Sequence, residues 1–206
     1  MSGNRRKLGI LGGTFDPVHI AHLVMAERSL LDLELEKVLF IPTGIPWMKT
    51  NIEITKASHR INMLKLALSE NPLFEISALE TNRSGPSYTI DTLNLLREEY
   101  GEQIQLYFLM GSDALHSFSS WKNPMKILDL SYLVVFTRVV TENISDILLH
   151  PVFRGNKDKI IEKHSVNIPI SSSDIRDMIK NKVSLEGKVP NKVVEYIVDE
   201  RLYIDE

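Results

Sequence analysis

The chain contains no cysteine among its 206 residues, and this absence excludes several kinds of chemistry. Without thiols there are no disulfides, no cysteine-ligated zinc and no thiolate nucleophile. Basic residues are not in surplus either, because the formal net charge is −3. This charge argues against general nucleic-acid binding through a basic surface. We therefore expect no nucleic-acid partner, and any nucleotide must be bound at a local site.

Long apolar runs are also missing. No stretch approaches the length of a membrane span, and the apolar run near the N-terminus is too short for a signal peptide. We therefore expect no membrane partner and a cytoplasmic location. No internal repeat, low-complexity tract or clear linker interrupts the sequence. A hydrophobic content of 43% is ordinary for a globular protein, and a chain of this length can bury a sizeable core.

The most informative stretch is LGILGGTFDPVHIAHL, residues 8–23. Residues 7–11 are short, apolar and followed by two glycines, which predicts a buried parallel strand. Gly12 and Gly13 carry no side chain that would hold a ligand away from the backbone. The turn that they form with Thr14 and Phe15 can therefore present main-chain N–H groups to an anion.

A helix is predicted to begin near Pro17, with a buried apolar stripe made by Ile20, Leu23 and Val24. His19 and His22 are left on another face, three residues apart, in the first turns of this helix. The positive end of the helix dipole and its unpaired N–H groups favour a phosphate there. A single histidine is more often a surface or core residue, but two at this spacing after a glycine turn favour a phosphate site. A zinc site with Asp16 as third ligand is the alternative, and it lacks further protein ligands.

The motif His19-Ile20-Ala21-His22 and the glycine turn resemble the nucleotidyltransferase superfamily, whose signature is [T/H]-x-G-H. The longer string GGTFDPVH is similar to the bacterial nicotinate mononucleotide adenylyltransferases. Ala21 replaces the glycine that the family has between its histidines. Alanine is compatible with helical dihedrals, so only the closeness of the nucleotide contact is affected.

The rest of the chain alternates strand and helix patterns, which predicts an α/β fold with a doubly wound, Rossmann-like parallel sheet. Further strands are predicted at residues 37–41, 73–76, 105–110 and 131–136, and helices at 57–68, after 87–89 and at 191–202. Residues 141–163 are predicted as a helix and a loop without chemistry. We expect one domain over 1–206, with a core to about 165 and a small C-terminal helical lobe over about 166–206.

The loop before the third predicted helix is a second candidate site. Either Ser87 or Thr89 is a natural N-cap, and a helix N-terminus that points into a crevice suits a carboxylate. The string PSYTIDTL resembles the substrate loop of the family, in which main-chain groups near the threonine receive the acidic group of the pyridine ring. The resemblance thus assigns substrate binding to Thr89 and the adjacent Tyr88.

Two other segments contain residues that are expected to bind the substrates. Gly111 and Asp113 follow a predicted strand, where open α/β sheets place ribose and base contacts. FLMGSDALHSFSSW resembles the equivalent family segment, and this assigns Gly111 and Asp113 to ATP binding and Trp121 to stacking on the nicotinate ring. An aromatic face suits an electron-poor pyridinium, although a Trp packed in the core is the alternative. Lys49 keeps the basic position of a family loop and is expected to reach a substrate phosphate; a solvated lysine is equally compatible.

The stretch SSSDIR, residues 171–176, is the second strong motif. Ser171 and Asp174 have the spacing of a capping box, with Asp in place of Glu. Arg176 is then a cation in the first turns of a helix, where it is disfavoured unless an anion offsets it. Together with the hydroxyls of Ser172 and Ser173, Arg176 predicts a polyphosphate site. The family has a similar I-S-S-T-x-I-R.

The resemblance implies transfer of the adenylyl group of ATP to nicotinate mononucleotide, with both as partners and Mg²⁺ bound mainly through the ATP phosphates. It implies catalytic roles for His19, His22 and Arg176, ATP contacts for Gly12, Gly13, Thr14, Phe15, Gly111, Asp113, Ser172 and Ser173, and substrate contacts for Lys49, Tyr88, Thr89 and Trp121. No protein metal ligand is expected. Phosphopantetheine adenylyl transfer, a non-catalytic nucleotide-binding regulator and a purely structural protein remain alternatives. The oligomeric state, including a homo-oligomer, is left open.

Overall fold

The structure is a computed structural model that describes residues 6–47, 54–137, 144–164 and 170–204. Its centre is a parallel sheet of six strands in the order β4-β2-β1-β6-β7-β8. The strands are β1 (Lys7–Gly13), β2 (Lys37–Pro42), β4 (Phe74–Ile76), β6 (Gln105–Gly111), β7 (Ser131–Thr137) and β8 (Ile160–His164). The strands β3 (Ile45–Pro46) and β5 (Pro86–Ser87) pair separately, also in parallel.

Helices cover both faces of this sheet because successive strand residues point to opposite sides and both sets are apolar. The helices are α1 (Ile20–Leu33), α2 (Ala57–Leu68), α3 (Thr89–Tyr100), α4 (Ser112–Ser117), α5 (Pro124–Leu130), α6 (Ser172–Lys180) and α7 (Asn191–Asp199). In β2, Val38 and Phe40 pack with α1, α2, α6 and α7. Leu39 and Ile41 pack with α3, α4 and α5. The predicted doubly wound α/β fold is confirmed.

The strand order reverses between β1 and β6, which are adjacent in the sheet. From β1 the chain continues outward to β2 and β4, and from β6 it continues in the other direction to β7 and β8. Loops after the carboxyl ends of such a pair diverge and leave a crevice, where open α/β sheets bind ligands. The glycine turn after β1 and the Gly111 turn after β6 both lie at this crevice.

The predicted strands are confirmed, but the first helix differs from its prediction. It begins at Ile20 rather than near Pro17, and His19 is its N-cap in an extended conformation. The most buried positions of α1 are Ala26 at its middle and Ser29 and Leu30 in its second half. The predicted stripe of Ile20, Leu23 and Val24 is only half-buried. The reason is that the first half of α1 borders the crevice, whereas the second half packs on the sheet.

Two later predictions also need correction. Where a helix and loop were expected, the chain forms short 3-10 turns at Ile147–Leu149, Pro151–Phe153 and Lys157–Lys159, followed by β8. β8 is an edge strand whose alternate residues are exposed, so its apolar signal is weak. The last helix ends at Asp199 rather than at residue 202, and Val198 is 64% exposed.

Across the parts of the chain that the structure describes, no helix is both long and apolar enough to span a bilayer. The predicted boundary between core and C-terminal lobe, near residue 165, falls within residues 165–169, outside the described residues. That division stays a prediction. Ile175 of α6 and Val193 and Ile197 of α7 belong to the same apolar cluster as β1 and β2.

Candidate active site

The crevice at the carboxyl ends of β1 and β6 is a cleft of about 620 Å³. Most of the residues predicted from sequence line it: Gly12, Gly13, Thr14, His19, His22, Thr89, Gly111, Asp113, Trp121, Ser172 and Ser173. The part lined by residues 12–14, 19, 22 and 171–173 is called the histidine end below. The part lined by Trp47, Glu80, Ser87, Thr89 and Trp121 is called the tryptophan end.

The two histidines stack on each other, with 3.8 Å between ring centroids. His19 is 5% exposed, and its backbone N–H donates to Nδ1 of His22 at 3.2 Å. Because Nδ1 is the acceptor, a neutral His22 carries its proton on Nε2. The ring of Phe15 meets the His22 ring edge to face at 4.9 Å. Both imidazoles are thereby held at the helix start, where an anion is favoured.

Phe15 itself is 1% exposed and does not line the cleft. Its side chain packs between His22 and Phe40, so its contribution at the site is the shape of the turn and the support of the His22 ring. Phe15 has φ +49°, a left-handed conformation that lets the chain reverse after β1.

The buried side chain of Arg60, in α2, holds the turn that follows β1. Its guanidinium is 2% exposed and donates to the carbonyls of Thr14 at 2.7 Å, Thr43 at 2.9 Å and Thr55 at 2.8 Å. These bonds tie the turn after β1 to the turn after β2. Burial lowers the pKa of Arg60, and the nearby carboxylate of Asp16 partly opposes this shift. The sequence pattern alone indicated only a core-packing helix here.

Asp16 is also buried, at 3% exposure. Its carboxylate accepts the Thr55 N–H at 3.2 Å and the Tyr203 hydroxyl at 2.7 Å. The Asp16 carboxylate therefore faces these two donors. The alternative zinc site would require it to be a metal ligand instead. Among the residues that the structure describes, no group of three or more His, Cys, Asp or Glu could hold a metal ion.

Helix α6 joins the cleft from the C-terminal part of the chain. The predicted capping box is confirmed: Ser171 N–H donates to Asp174 Oδ2 at 2.7 Å, and Asp174 N–H donates to Ser171 Oγ at 3.2 Å. The Ser172 hydroxyl donates to the Pro17 carbonyl at 2.9 Å. This bond docks α6 on the turn before α1. The Ser172 and Ser173 N–H groups, at the first two positions of α6, have no acceptor inside the helix, and such groups suit an anion.

Arg176 lies beside the cleft and does not line it. Its Nη1 donates to the Asp16 carbonyl at 2.7 Å, and its Nη2 donates to Ser173 Oγ at 3.2 Å. A guanidinium has five N–H donors, so donors remain for a ligand at Ser173. The structure therefore brings Arg176 to the rim of the histidine end.

Thr89 opens α3 at the other end of the cleft. The N-cap is Tyr88, contrary to the prediction of Ser87 or Thr89, because the Ser87 hydroxyl instead accepts the Gly44 N–H at 3.1 Å. The N–H groups of Asp91 and Thr92 donate to the Tyr88 carbonyl. The two preceding N–H groups of α3 have no acceptor inside the helix, and such groups suit a carboxylate.

Two tryptophans complete this end. Trp121 lines the cleft, packs edge to face on Phe108 at 5.9 Å, and donates its indole N–H to Ser117 Oγ at 3.3 Å. Trp47 lines the cleft opposite β5 and lies 5.8 Å from the Tyr88 ring. Tyr88 is not among the lining residues, and Lys122 Nζ sits over its ring at 4.4 Å. Tyr88 therefore supports Trp47 rather than forming the cleft wall.

Glu80 is a buried carboxyl at the tryptophan end, and its Oε1 accepts the Thr92 hydroxyl at 2.7 Å. Burial raises the pKa of Glu80, while hydrogen bonds from Thr92 and Ser87 and the charge of Arg83 oppose this shift. A Cβ at Gly44 would overlap the Glu80 carbonyl, so only glycine permits this approach.

At the sheet centre, Gly111 is the N-cap of α4 and the Asp113 carboxylate folds back over it. The predicted Lys49, with the adjacent Met48, lies outside the described residues. The residues that sequence reasoning left without a site role are Arg60, Glu80 and Tyr203. For Arg60 the available signal was a charged residue within a helix that has a periodic apolar pattern, whereas Glu80 lies in the polar stretch SALETNRSG at residues 77–85 and gave none. Tyr203 gave no signal, because its partner is 187 positions away.

Most of the chain is similar to proteins of one known family. A family profile described as cytidylyltransferase-like matches residues 10–178. A protein of Thermomicrobium roseum named "Probable nicotinate-nucleotide adenylyltransferase" is 42% identical over 96% of this chain and 91% of its own length. One of Dehalococcoides mccartyi with the same name is 39% identical over 96% of this chain and 97% of its own.

A solved structure has the same fold. It is the Plasmodium falciparum nicotinic acid mononucleotide adenylyltransferase complexed with NaAD, with a TM-score of 0.79, 21% identity, and coverage of 96% of this chain and 97% of that one. The family profile match contains the glycine turn, both histidines and residues 172–178 of α6. The chain therefore belongs to the cytidylyltransferase-like family and, within it, to the nicotinate-nucleotide adenylyltransferases.

Proposed function

We propose that this cleft holds ATP at its histidine end and nicotinate mononucleotide at its tryptophan end. The chain transfers the adenylyl group of ATP to nicotinate mononucleotide, giving nicotinate adenine dinucleotide and pyrophosphate in NAD biosynthesis. The observation that carries the proposal is the joining of two different ends in one cleft of about 620 Å³. One end offers imidazoles and helix N-termini, and the other offers aromatic rings and a helix start.

The reaction needs no protein nucleophile. An oxygen of the mononucleotide phosphate attacks the α-phosphorus of ATP, a new P–O bond forms, and the bond to the departing pyrophosphate breaks. The protein must hold two anions in line and stabilise the charge that develops on the bridging oxygen and pyrophosphate. His19 and His22 contact the ATP phosphates in this proposal. Arg176 and the first turn of α6, at Ser172 and Ser173, receive the β- and γ-phosphates.

The backbone turns supply the remaining ATP contacts. Gly12, Gly13 and Thr14 line the histidine end, and Phe15 shapes their turn. Gly111 and Asp113 lie at the carboxyl end of β6, where ribose contacts are expected. Both residues line the same cleft, which suits a role in holding the ribose and base of the nucleotide.

The pyridine ring of the substrate is proposed to stack on Trp121, with its carboxylate at the N-terminus of α3 near Thr89. Tyr88 and Lys122 back this end, and Lys49 stays a predicted phosphate contact. An aromatic face attracts a pyridinium through dispersion and cation–π interaction. A helix start stabilises a carboxylate and gives nothing comparable to a neutral amide, so nicotinate is favoured over nicotinamide.

Mg²⁺ fits this arrangement as an ion held through the ATP phosphates. The histidine end is lined by N–H, imidazole and hydroxyl groups, which suit anions, and the acidic residues that line the cleft are Glu80 and Asp113. Mg²⁺ commonly binds through substrate phosphates and few protein oxygens. When bound, it neutralises phosphate charge during the transfer.

The experiment is a pyrophosphate-release assay with ATP and Mg²⁺. Nicotinate mononucleotide, nicotinamide mononucleotide and phosphopantetheine are tested separately. We expect fast turnover with nicotinate mononucleotide. Turnover with phosphopantetheine alone would contradict the assignment of the tryptophan end, and silence with all three would favour a nucleotide-binding regulator.

A further inference from the structure

The segment 14–17, called the phosphate turn here, is held by side chains from distant parts of the chain. Arg60 of α2 donates to the carbonyl of Thr14, Arg176 of α6 to that of Asp16, and Ser172 of α6 to that of Pro17. This segment leads directly into His19. Its position therefore sets where the histidine end begins.

The side chain of Asp16 is held by two further donors, one of which lies near the C-terminal end of the described chain. Its Oδ2 accepts from Thr55 at 3.2 Å and its Oδ1 accepts from Tyr203 at 2.7 Å. Tyr203 reaches it because the chain turns sharply after α7, with φ +51° at Arg201 and +64° at Tyr203. Burial and the neighbouring Asp16 raise the pKa of the Tyr203 hydroxyl, which therefore stays a donor throughout the neutral range.

Loss of the Tyr203 hydroxyl would leave a carboxylate oxygen without its donor at a site that is 3% exposed. A buried carboxylate that has lost a hydrogen-bond donor moves toward another donor or binds a water molecule. Arg60, which already holds Thr14 and Thr43, is a cationic group that interacts with this carboxylate, and Arg176 holds the Asp16 carbonyl. Any such movement therefore shifts the phosphate turn and the start of α1.

We propose that Tyr203 is a positioning residue for the reaction, acting through Asp16 on the phosphate turn and His19. Tyr203 is not among the cleft-lining residues, so it acts without touching the substrates. The inference rests on the proposed function for its kinetic part. Small displacements of reacting groups cost rate steeply, because the reaction depends on alignment.

The test compares Tyr203→Phe with Tyr196→Phe. Tyr196 is a matched control because its hydroxyl also joins the C-terminal part to α2, through His59 Nδ1 at 2.9 Å and Asn62 Nδ2 at 3.1 Å, away from the phosphate turn. Each variant loses one hydroxyl and keeps its ring. For each, thermal unfolding, kcat, both KM values and the dissociation constant for Mg²⁺–ATP are measured well below the unfolding temperature.

We expect Tyr203→Phe to lower kcat about tenfold and to weaken Mg²⁺–ATP binding, with KM for nicotinate mononucleotide changed by less than about twofold. Tyr196→Phe should lower the unfolding temperature and leave these constants within about twofold of the parent. Asp16→Asn keeps only one acceptor oxygen and should reproduce the Tyr203→Phe pattern. If Tyr203→Phe does not fold, the kinetic constants of Asp16→Asn test the proposal in its place.

Equal loss of stability in both tyrosine variants, with unchanged kcat and unchanged Mg²⁺–ATP affinity, would overturn the proposal. If the parent shows no turnover with nicotinate mononucleotide, the proposed function is wrong. The ratio of Mg²⁺–ATP dissociation constants then still decides whether Tyr203 positions the phosphate turn.

Discussion

The two ends of the cleft are built differently. The histidine end is held by side chains from several helices that donate to backbone carbonyls, most of all Arg60 with its bonds to Thr14, Thr43 and Thr55. The tryptophan end is held by contacts between side chains: Trp47 packs near Tyr88, Trp121 packs on Phe108, and Glu80 accepts from Thr92. We infer that the first end depends on alignment, and the second on the shape and charge of the ligand.

The largest expected effect tests the rigidity of the histidine end. Arg60→Met should lower the free energy of unfolding by about 4 kcal/mol, because buried carbonyls lose their donors. Urea denaturation measures the change. The control is Lys65→Met on the exposed face of the same helix, which we expect to change stability by less than about 0.5 kcal/mol. A similar small loss in Arg60→Met would show that the turn does not depend on this guanidinium.

Removal of an imidazole tests the chemistry of the same end. His19→Ala should lower kcat by about 10²–10³, because a group that stabilises developing phosphate charge is lost. Steady-state pyrophosphate release measures the effect, and circular dichroism checks the fold. His150→Ala, at an exposed position far along the chain, is the control. An unchanged kcat in His19→Ala would remove His19 from the mechanism.

The tryptophan end should respond through substrate affinity. Trp121→Ala is expected to raise KM for nicotinate mononucleotide about tenfold and to change KM for ATP less than about twofold, since one stacking platform is lost. Trp121→Phe keeps an aromatic face and should recover most of the affinity. Equal changes in the KM values for nicotinate mononucleotide and ATP would mean that the two ends of the cleft do not bind the two substrates independently.

The smallest expected effect is a pH dependence at Glu80. Burial raises its pKa in the folded state above the value of about 4.3 in an unfolded chain. The folded state thus holds its proton more tightly, so this group stabilises the fold most below about pH 4 and that stabilisation is lost as pH rises through the raised pKa. Glu80→Gln cannot ionise and should be more stable than the parent at pH 8 by about 1 kcal/mol, with little difference near pH 4.

Urea denaturation at several pH values measures this difference. Glu98→Gln, exposed on α3, is the control and should follow the parent at every pH. A pH-independent difference for Glu80→Gln would indicate an effect of hydrogen bonding rather than of ionisation.

Local sequence determined much of the fold and of the histidine end. Short apolar runs placed β1, β2, β6 and β7, because buried parallel strands read as continuous apolar segments. The capping box at Ser171 and Asp174 is a contact between residues three apart and was readable directly. The edge strand β8 was not readable, since two of its five residues are exposed and its apolar signal is diluted.

Only the tertiary structure decided which polar side chains hold the site together. Ser87 forgoes its expected capping role because Gly44, brought close by the pairing of β3 and β5, supplies a donor from another part of the chain. Asp16 and Tyr203 meet only because α7 ends early and the chain then turns back. The sequence by itself determined the elements and the residue types that suit phosphates and a pyridine ring, since these depend on neighbours along the chain. The network beneath the phosphate turn depends on contacts across the whole chain, which local patterns do not encode.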